Sequence, residues 1–127
     1  MRETFDNDWE VYEVVHDHLL SQKRKSEDRA NNCLYRGPDG TSCAIGCLLN
    51  EDEAIIGDGS RYGSLDINEL MDLVPSVRKR FRDVSLLLLM DLQNIHDSQP
   101  TENWGAALND LKKYFDDDRC YQKEENY

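Results

Sequence analysis

Hydrophobic positions recur along most of this chain every three or four residues, the spacing of amphipathic helices. In residues 8–22 (DWEVYEVVHDHLLSQ), Trp9, Tyr12, Val15, His16, Leu19 and Leu20 share one side, and Asn7 or Asp8 is placed to cap the start. Glu10, Glu13 and Asp17 occupy the opposite face. Residues 23–32 are polar and locally basic, and are expected to hold the end of this helix and a linker. Two short segments, CLYR and TSCAIGCLL, then flank a Gly-Pro-Asp-Gly sequence. Pro38 pre-sets a turn and Gly40 adopts positive φ cheaply, so a β-hairpin is expected near residues 33–48. With a four-residue loop, Arg36 faces Thr41, Leu34 faces Cys43, and Cys33 and Cys43 point to opposite faces. A one-residue bulge would bring the two thiols together.

Residues 50–56 (NEDEAII) suit a short acidic helical turn, and 57–64 (GDGSRYGS) a loop. Asp66 caps a short helix that Pro75 punctuates. The strongest helical signal covers residues 76–97. There Phe81, Val84, Leu88, Leu92 and Ile95 form a stripe that Leu86, Leu87, Leu89 and Met90 widen. A helix apolar nearly all round is expected at the centre of the core. Thr101 is placed to cap a last helix, with Trp104, Ala107, Leu108, Leu111 and Phe115 facing inward. The expected fold is α+β and mostly α. It is a single small domain over residues 1–118, with about four helices and an inserted hairpin, followed by a polar tail at 119–127.

The length of 127 residues suits one domain. With 26 Asp plus Glu against 15 Lys plus Arg, the net charge is −11. That balance argues against neutralising phosphates and against docking on an anionic membrane. The charge is uneven: residues 1–22, 37–77 and 83–127 are acidic, while 23–36 and 78–82 are basic islands. The N-terminus lacks the basic start and apolar run of a secretory signal, and the longest strongly apolar stretch, residues 86–90, is far below the roughly 20 residues of a membrane span. A cytoplasmic protein with reduced, metal-bound or buried cysteines is expected.

Several constellations bear on chemistry. Cys33, Cys43 and Cys47 with His96 could supply a zinc site, but no Cys-x-x-Cys knuckle is present. Buried apolar thiols are the favoured alternative, with no cofactor, and redox pairing is a third. His96-Asp97 could join Cys33 or Cys43 as a nucleophile arrangement, yet a helix C-terminus also favours such a pair as a cap, and Gln93 shares that face. Tyr35-Arg36 suits partner contact or, equally, packing on the first helix with the Arg on a carboxylate. Arg78, Lys79, Arg80 and Arg82 are expected to pair with Asp66, Glu69 and Asp72. No nucleotide cradle appears in the glycine-rich loop. No nucleophile, base and oxyanion donor come together, so a non-enzyme is expected.

The set Cys33-x-Tyr35-Arg36, Gly40-x-x-Cys43-Ala44-Ile45-Gly46-x-Leu48-Leu49 and Asp52-Glu53, with Leu92-Gln93-x-Ile95-His96-Asp97 and Trp104, resembles a family of small bacteriophage and prophage proteins. The likeness spans roughly Trp9 to Phe115. The chain departs from the family's pattern at Leu49-Asn50, where Ile-Pro is common, and at Ala54, where Tyr is common. The resemblance implies a phage-type accessory protein. Joined to the acidity, it suggests a non-catalytic protein that inhibits a host defence or DNA-handling factor through an acidic surface, in the manner of a nucleic-acid mimic. The partner would carry a basic binding surface. Direct nucleic-acid or membrane binding is not expected. Glu10, Glu13, Asp17, Glu51, Asp52 and Glu53, with Tyr35 and Arg36, are the expected contact residues. The other classes are a zinc- or thiol-dependent protein using the cysteines and a self-associating structural module.

Overall fold

A computed structural model describes residues 3–30, 32–59 and 65–116. Among the described residues, the chain forms six α-helices: α1 (Asp8–Gln22), α2 (Glu51–Asp58), α3 (Ile67–Leu73), α4 (Pro75–Arg80), α5 (Leu86–Ser98) and α6 (Trp104–Asp116). Three short 3-10 turns lie between them, and no β-strand occurs among the described residues. The expected hairpin, and with it the α+β class, is therefore corrected to a helical fold.

The physical reason lies in the length of the segments. Two short unsupported strands make a marginal hairpin. Here the first candidate strand makes only isolated bridges, Glu27 with Cys33 and Arg36 with Ser42. The second coils into a 3-10 turn at Gly46–Leu48. Side chains satisfy the backbone groups a sheet would have paired. The N–H groups of Tyr35 and Arg36 donate to the Asp58 carboxylate at 2.8 and 2.9 Å. The Arg36 guanidinium donates to the carbonyls of Gly46 and Leu49 and to Ser42 Oγ. The Arg36–Ser42 bridge lies one residue away from the Arg36–Thr41 pairing of a four-residue loop. The thiols of Cys33 and Cys43 lie close enough to interact.

Elsewhere, local chemistry sets the element ends as the pattern suggests. Asn7 caps α1 by accepting the Glu10 N–H at 3.0 Å. Asn50 with Glu53, and Asp66 with Glu69, form reciprocal capping boxes on α2 and α3. The long helix expected over 76–97 is broken between Arg80 and Leu86. Ser85 caps α5, and its own N–H donates to the buried Asp8 carboxylate at 2.6 Å, so α1 fixes where α5 begins. Thr101 opens a 3-10 turn and is not a cap.

The core sits where α1, α5 and α6 meet, through Val11, Val15 and Leu19, Leu88, Leu89 and Leu92, and Trp104 and Leu108. Burying each Leu or Val contributes about 1.5–3 kcal/mol. The Tyr12 hydroxyl donates to the Leu108 carbonyl at 2.7 Å across this junction. A buried ion pair, Glu53 with Arg80, joins α2 to α4, and Ser76 Oγ donates to the same carboxylate. α5 lies in the core through Leu88, Leu89, Leu92 and Ile95, as expected, but Leu86, Leu87 and Met90 are 37%, 50% and 53% exposed. No described helix is long and apolar enough to cross a membrane.

Candidate functional site

The C-terminal half of α5 forms one wall of a cleft of about 840 Å³. Its apolar side is made by Tyr35, Ile45, Leu65, Ile67 and Met90. Its polar side carries three carboxylates, Asp66, Asp91 and Asp97, beside Asn32, Cys33, Gln93 and Asn94. No Lys or Arg is among its described lining residues. The helical period explains the wall: positions 90, 91, 94 and 97 share one side of α5, while Leu88, Leu92 and Ile95 face the core.

Gln93 organises the polar end. Its Oε1 accepts the Ile45 N–H at 3.1 Å, and its Nε2 donates to Asp97 Oδ1 at 2.9 Å and to Cys33 Sγ at 3.2 Å. His96 lies beneath, fully buried and stacked on Trp104 with ring centres 5.5 Å apart. Its Nδ1 is 2.8 Å from Asp97 Oδ1, and its Nε2 accepts the backbone N–H of Ser26 at 2.9 Å. The Ser26 hydroxyl donates to the Leu34 carbonyl at 2.7 Å. The linker after α1 is thus fastened to α5 through one imidazole.

Burial opposes a charge on His96, while the hydrogen bond to Asp97 and the nearby Cys33 favour one and push the ring's pKa up. The Ser26 N–H acts in the other direction, because it needs a lone pair on Nε2. A doubly protonated ring would set two donors head to head. The hydrogen-bond pattern is that of a neutral ring with its proton on Nδ1, given to Asp97. Burial raises the Asp97 carboxyl, and hydrogen bonds from His96, Cys33 and Gln93 more than reverse that, holding it below its ordinary value.

Ligand atoms of Cys33, His96 and Asp97 lie within 4.8 Å of one another. The ring chemistry nevertheless fits a metal badly. Binding at Nδ1 moves the imidazole proton to Nε2, where the Ser26 N–H already points. Cys47 stands apart with its thiol on the Ala44 carbonyl at 3.1 Å, and burial pushes it up to about 12. Cys43 Sγ accepts the Gly46 N–H at 3.2 Å. Nor does the group resemble a cysteine hydrolase. That chemistry needs the nucleophile on one ring nitrogen and the carboxylate on the other. Here the nitrogen remote from Asp97 faces backbone. The neighbouring Cys43 thiol, then burial, drive the Cys33 thiol far above its ordinary value and away from the reactive thiolate. Hydrogen bonding and the anchoring of a helix end, together with the cleft's charge, are what this group can supply.

The other expected contact residues are dispersed. Glu13 and Asp17 are exposed on α1, and Glu10 accepts the Asp6 N–H at 2.9 Å. Glu51 and Asp52 are exposed in the first turn of α2, whereas Glu53 is buried against Arg80. Tyr35 is buried, with its hydroxyl on the Leu65 carbonyl, and Arg36 is committed to backbone carbonyls. The basic run does not pair as expected. Arg78 donates to the carbonyls of Met71 and Asp72, Arg80 is buried on Glu53, and Arg82 is 3.7 Å from Asp83. Sequence reasoning missed Asp66, Asp91, Asn94 and Met90 as one wall. The signal was the polar set 91, 94 and 97, spaced by threes inside the leucine-rich segment. No protein-family model matches the chain, and no curated protein or solved structure matches it significantly.

Proposed function

We propose that this chain is a non-catalytic binding protein that captures a cationic segment of another protein in the cleft beside α5. The observation that supports this best is the composition of the cleft wall: three carboxylates beside an apolar floor. A Lys or Arg has an apolar stem and a charged head, and this wall offers a surface for each. An acidic cleft also focuses its field and draws cationic partners in a salt-dependent way. The resemblance to phage accessory proteins gives the setting: a host protein with a basic surface, met in the host cytoplasm and inhibited by occupation of that surface. The engagement of both imidazole nitrogens favours this over a zinc-dependent or thiol-dependent activity. The exposed acids of α1 and α2, Glu13, Asp17, Glu51 and Asp52, would extend the negative field.

A pull-down from host lysate with Asp66→Lys and Asp91→Lys variants tests this. Capture of a basic protein by the unaltered chain should fall at least about tenfold in both variants and weaken steeply with salt. Capture indifferent to salt and to both reversals would remove the proposal. If reversals at Glu13, Asp17, Glu51 and Asp52 abolished capture instead, the acidic helix faces would replace the cleft as the docking site.

A further inference from the structure

Three half-exposed apolar side chains, Leu86, Leu87 and Met90, lie at the N-terminal end of α5, on spacings of three and four that put them on one face. Met90 is also part of the cleft wall, so this apolar strip meets the acidic end at Asp91, Asn94 and Asp97. A leucine-rich helix that turns its surplus apolar residues outward keeps a cost in water that a bound partner would remove.

We infer that the outer face of α5 seats an amphipathic helix of the partner, with apolar anchors over Leu86, Leu87 and Met90 and a Lys or Arg over the cleft carboxylates. This deepens the cleft reading above and rests on it. The charge order along α5 selects the occupant. The apolar end is followed, about one turn or 6 Å further from Leu87, by Asp91, and about 15 Å from Leu87 by Asp97. A helix laid along this face therefore needs apolar residues at spacings of three and four, then a cation one to three turns beyond. A second copy of this chain is a poor fit, because at −11 two copies repel. An extended strand is also unsuited, since no described sheet edge is available to pair with it.

A displayed library of helix-forming peptides, selected against the whole protein, tests the inference. Enriched sequences should carry apolar residues at helical spacing with Lys or Arg one to three turns away. Their affinity, read by fluorescence anisotropy, should fall about tenfold or more for the double variant Leu87→Gln, Met90→Gln. It should fall severalfold, with a shallower salt dependence, for Asp66→Asn, Asp91→Asn, in which the side-chain amide introduced at position 66 can still cap α3. Circular dichroism establishes that both variants remain folded. No enrichment, enriched peptides without a basic residue, or equal binding by the apolar variant would each overturn the helix. The lysate pull-down separates the two claims. Capture lost on Asp66 and Asp91 substitution but unmoved by Leu87→Gln, Met90→Gln keeps the cleft and removes the helix. Capture indifferent to both sets removes both.

Discussion

Gly46 is where the cleft is most exposed to a small change in chemistry. An alanine Cβ there would lie 2.0 Å from the Tyr35 carbonyl oxygen and 2.8 Å from its carbonyl carbon. Both are backbone atoms, so no flexible side chain can swing aside. Reaching an ordinary contact requires a displacement of roughly 1.4 Å. Tyr35 resists, since Asp58 holds its N–H and Leu65 its hydroxyl. Overpacking of this kind costs about 1–3 kcal/mol. The Gly46 carbonyl also accepts from Arg36, and loosening a hydrogen bond to a charged group costs about 1.5–3 kcal/mol. Gly46→Ala is therefore expected to lose about 3–5 kcal/mol, and Tm to fall by roughly 10–20 °C. Tyr35 and Ile45 flank the site, so peptide binding in the cleft should be lost with stability. The matched control is Gly105→Ala in α6, whose Cβ meets only Leu20 Cδ2 at an ordinary 3.8 Å. There the helix gains about 0.5–1 kcal/mol and Tm should rise by a few degrees. Thermal melts followed by far-UV circular dichroism measure both. A Gly46→Ala melt within about 2 °C of the unaltered protein would refute the close approach.

Further outcomes follow from the buried polar groups. Burial raises the Glu53 carboxyl, and hydrogen bonds from Arg80, Ser76 and the Asn50 N–H reverse that, holding it below its ordinary value. Its stabilising effect is thus present above the ordinary Glu range and lost as pH falls through the lowered value. Glu53→Gln should be less stable at pH 7 by about 2 kcal/mol and lose less on acidification, as read by chemical denaturation. Equal acid sensitivity would contradict this. In a Cys120→Ser background, which confines the readout to Cys33, Cys43 and Cys47, an aromatic disulfide reagent should react slowly with native protein near pH 8 and quickly after unfolding, because the Cys33 and Cys47 thiols are held well above their ordinary values. Fast native reaction would identify an activated cysteine. Nitrogen NMR of the His96 ring should show Nδ1 protonated and Nε2 bare at neutral pH, and a doubly protonated ring would remove the Ser26 hydrogen bond.

Much of the helical framework was legible locally, because caps and periodicity are local. Asn7, Asn50 and Asp66 each start a helix where the pattern places it, and α1 begins at the expected residue. The departures are tertiary. The Gly-Pro-Asp-Gly signal does mark a turn, but whether its flanks pair as strands was decided by Asp58 and Arg36. The break before α5 depends on Asp8, which lies 77 residues away in sequence. The His96-Asp97 pair was legible as an anchor of a helix end, while its second partner, the Ser26 amide, carries no side-chain signal. The cleft was the least legible, since Asp66 caps α3 while Asp91 lies in α5.

The replacement of a sheet by side-chain acceptors has a consequence for how the molecule opens. The amides of Ser26, Tyr35, Arg36, Ser42 and Ile45 are covered by His96, Asp58, Gln22 and Gln93, which belong to α5, α2 and α1. A β-ladder could exchange its protons by fraying from one end. These amides can exchange only when a helix releases its side chain. These five amides should therefore exchange hydrogen together with the helices that hold them, and the loss of a single acceptor should unmask amides on a segment distant in the sequence.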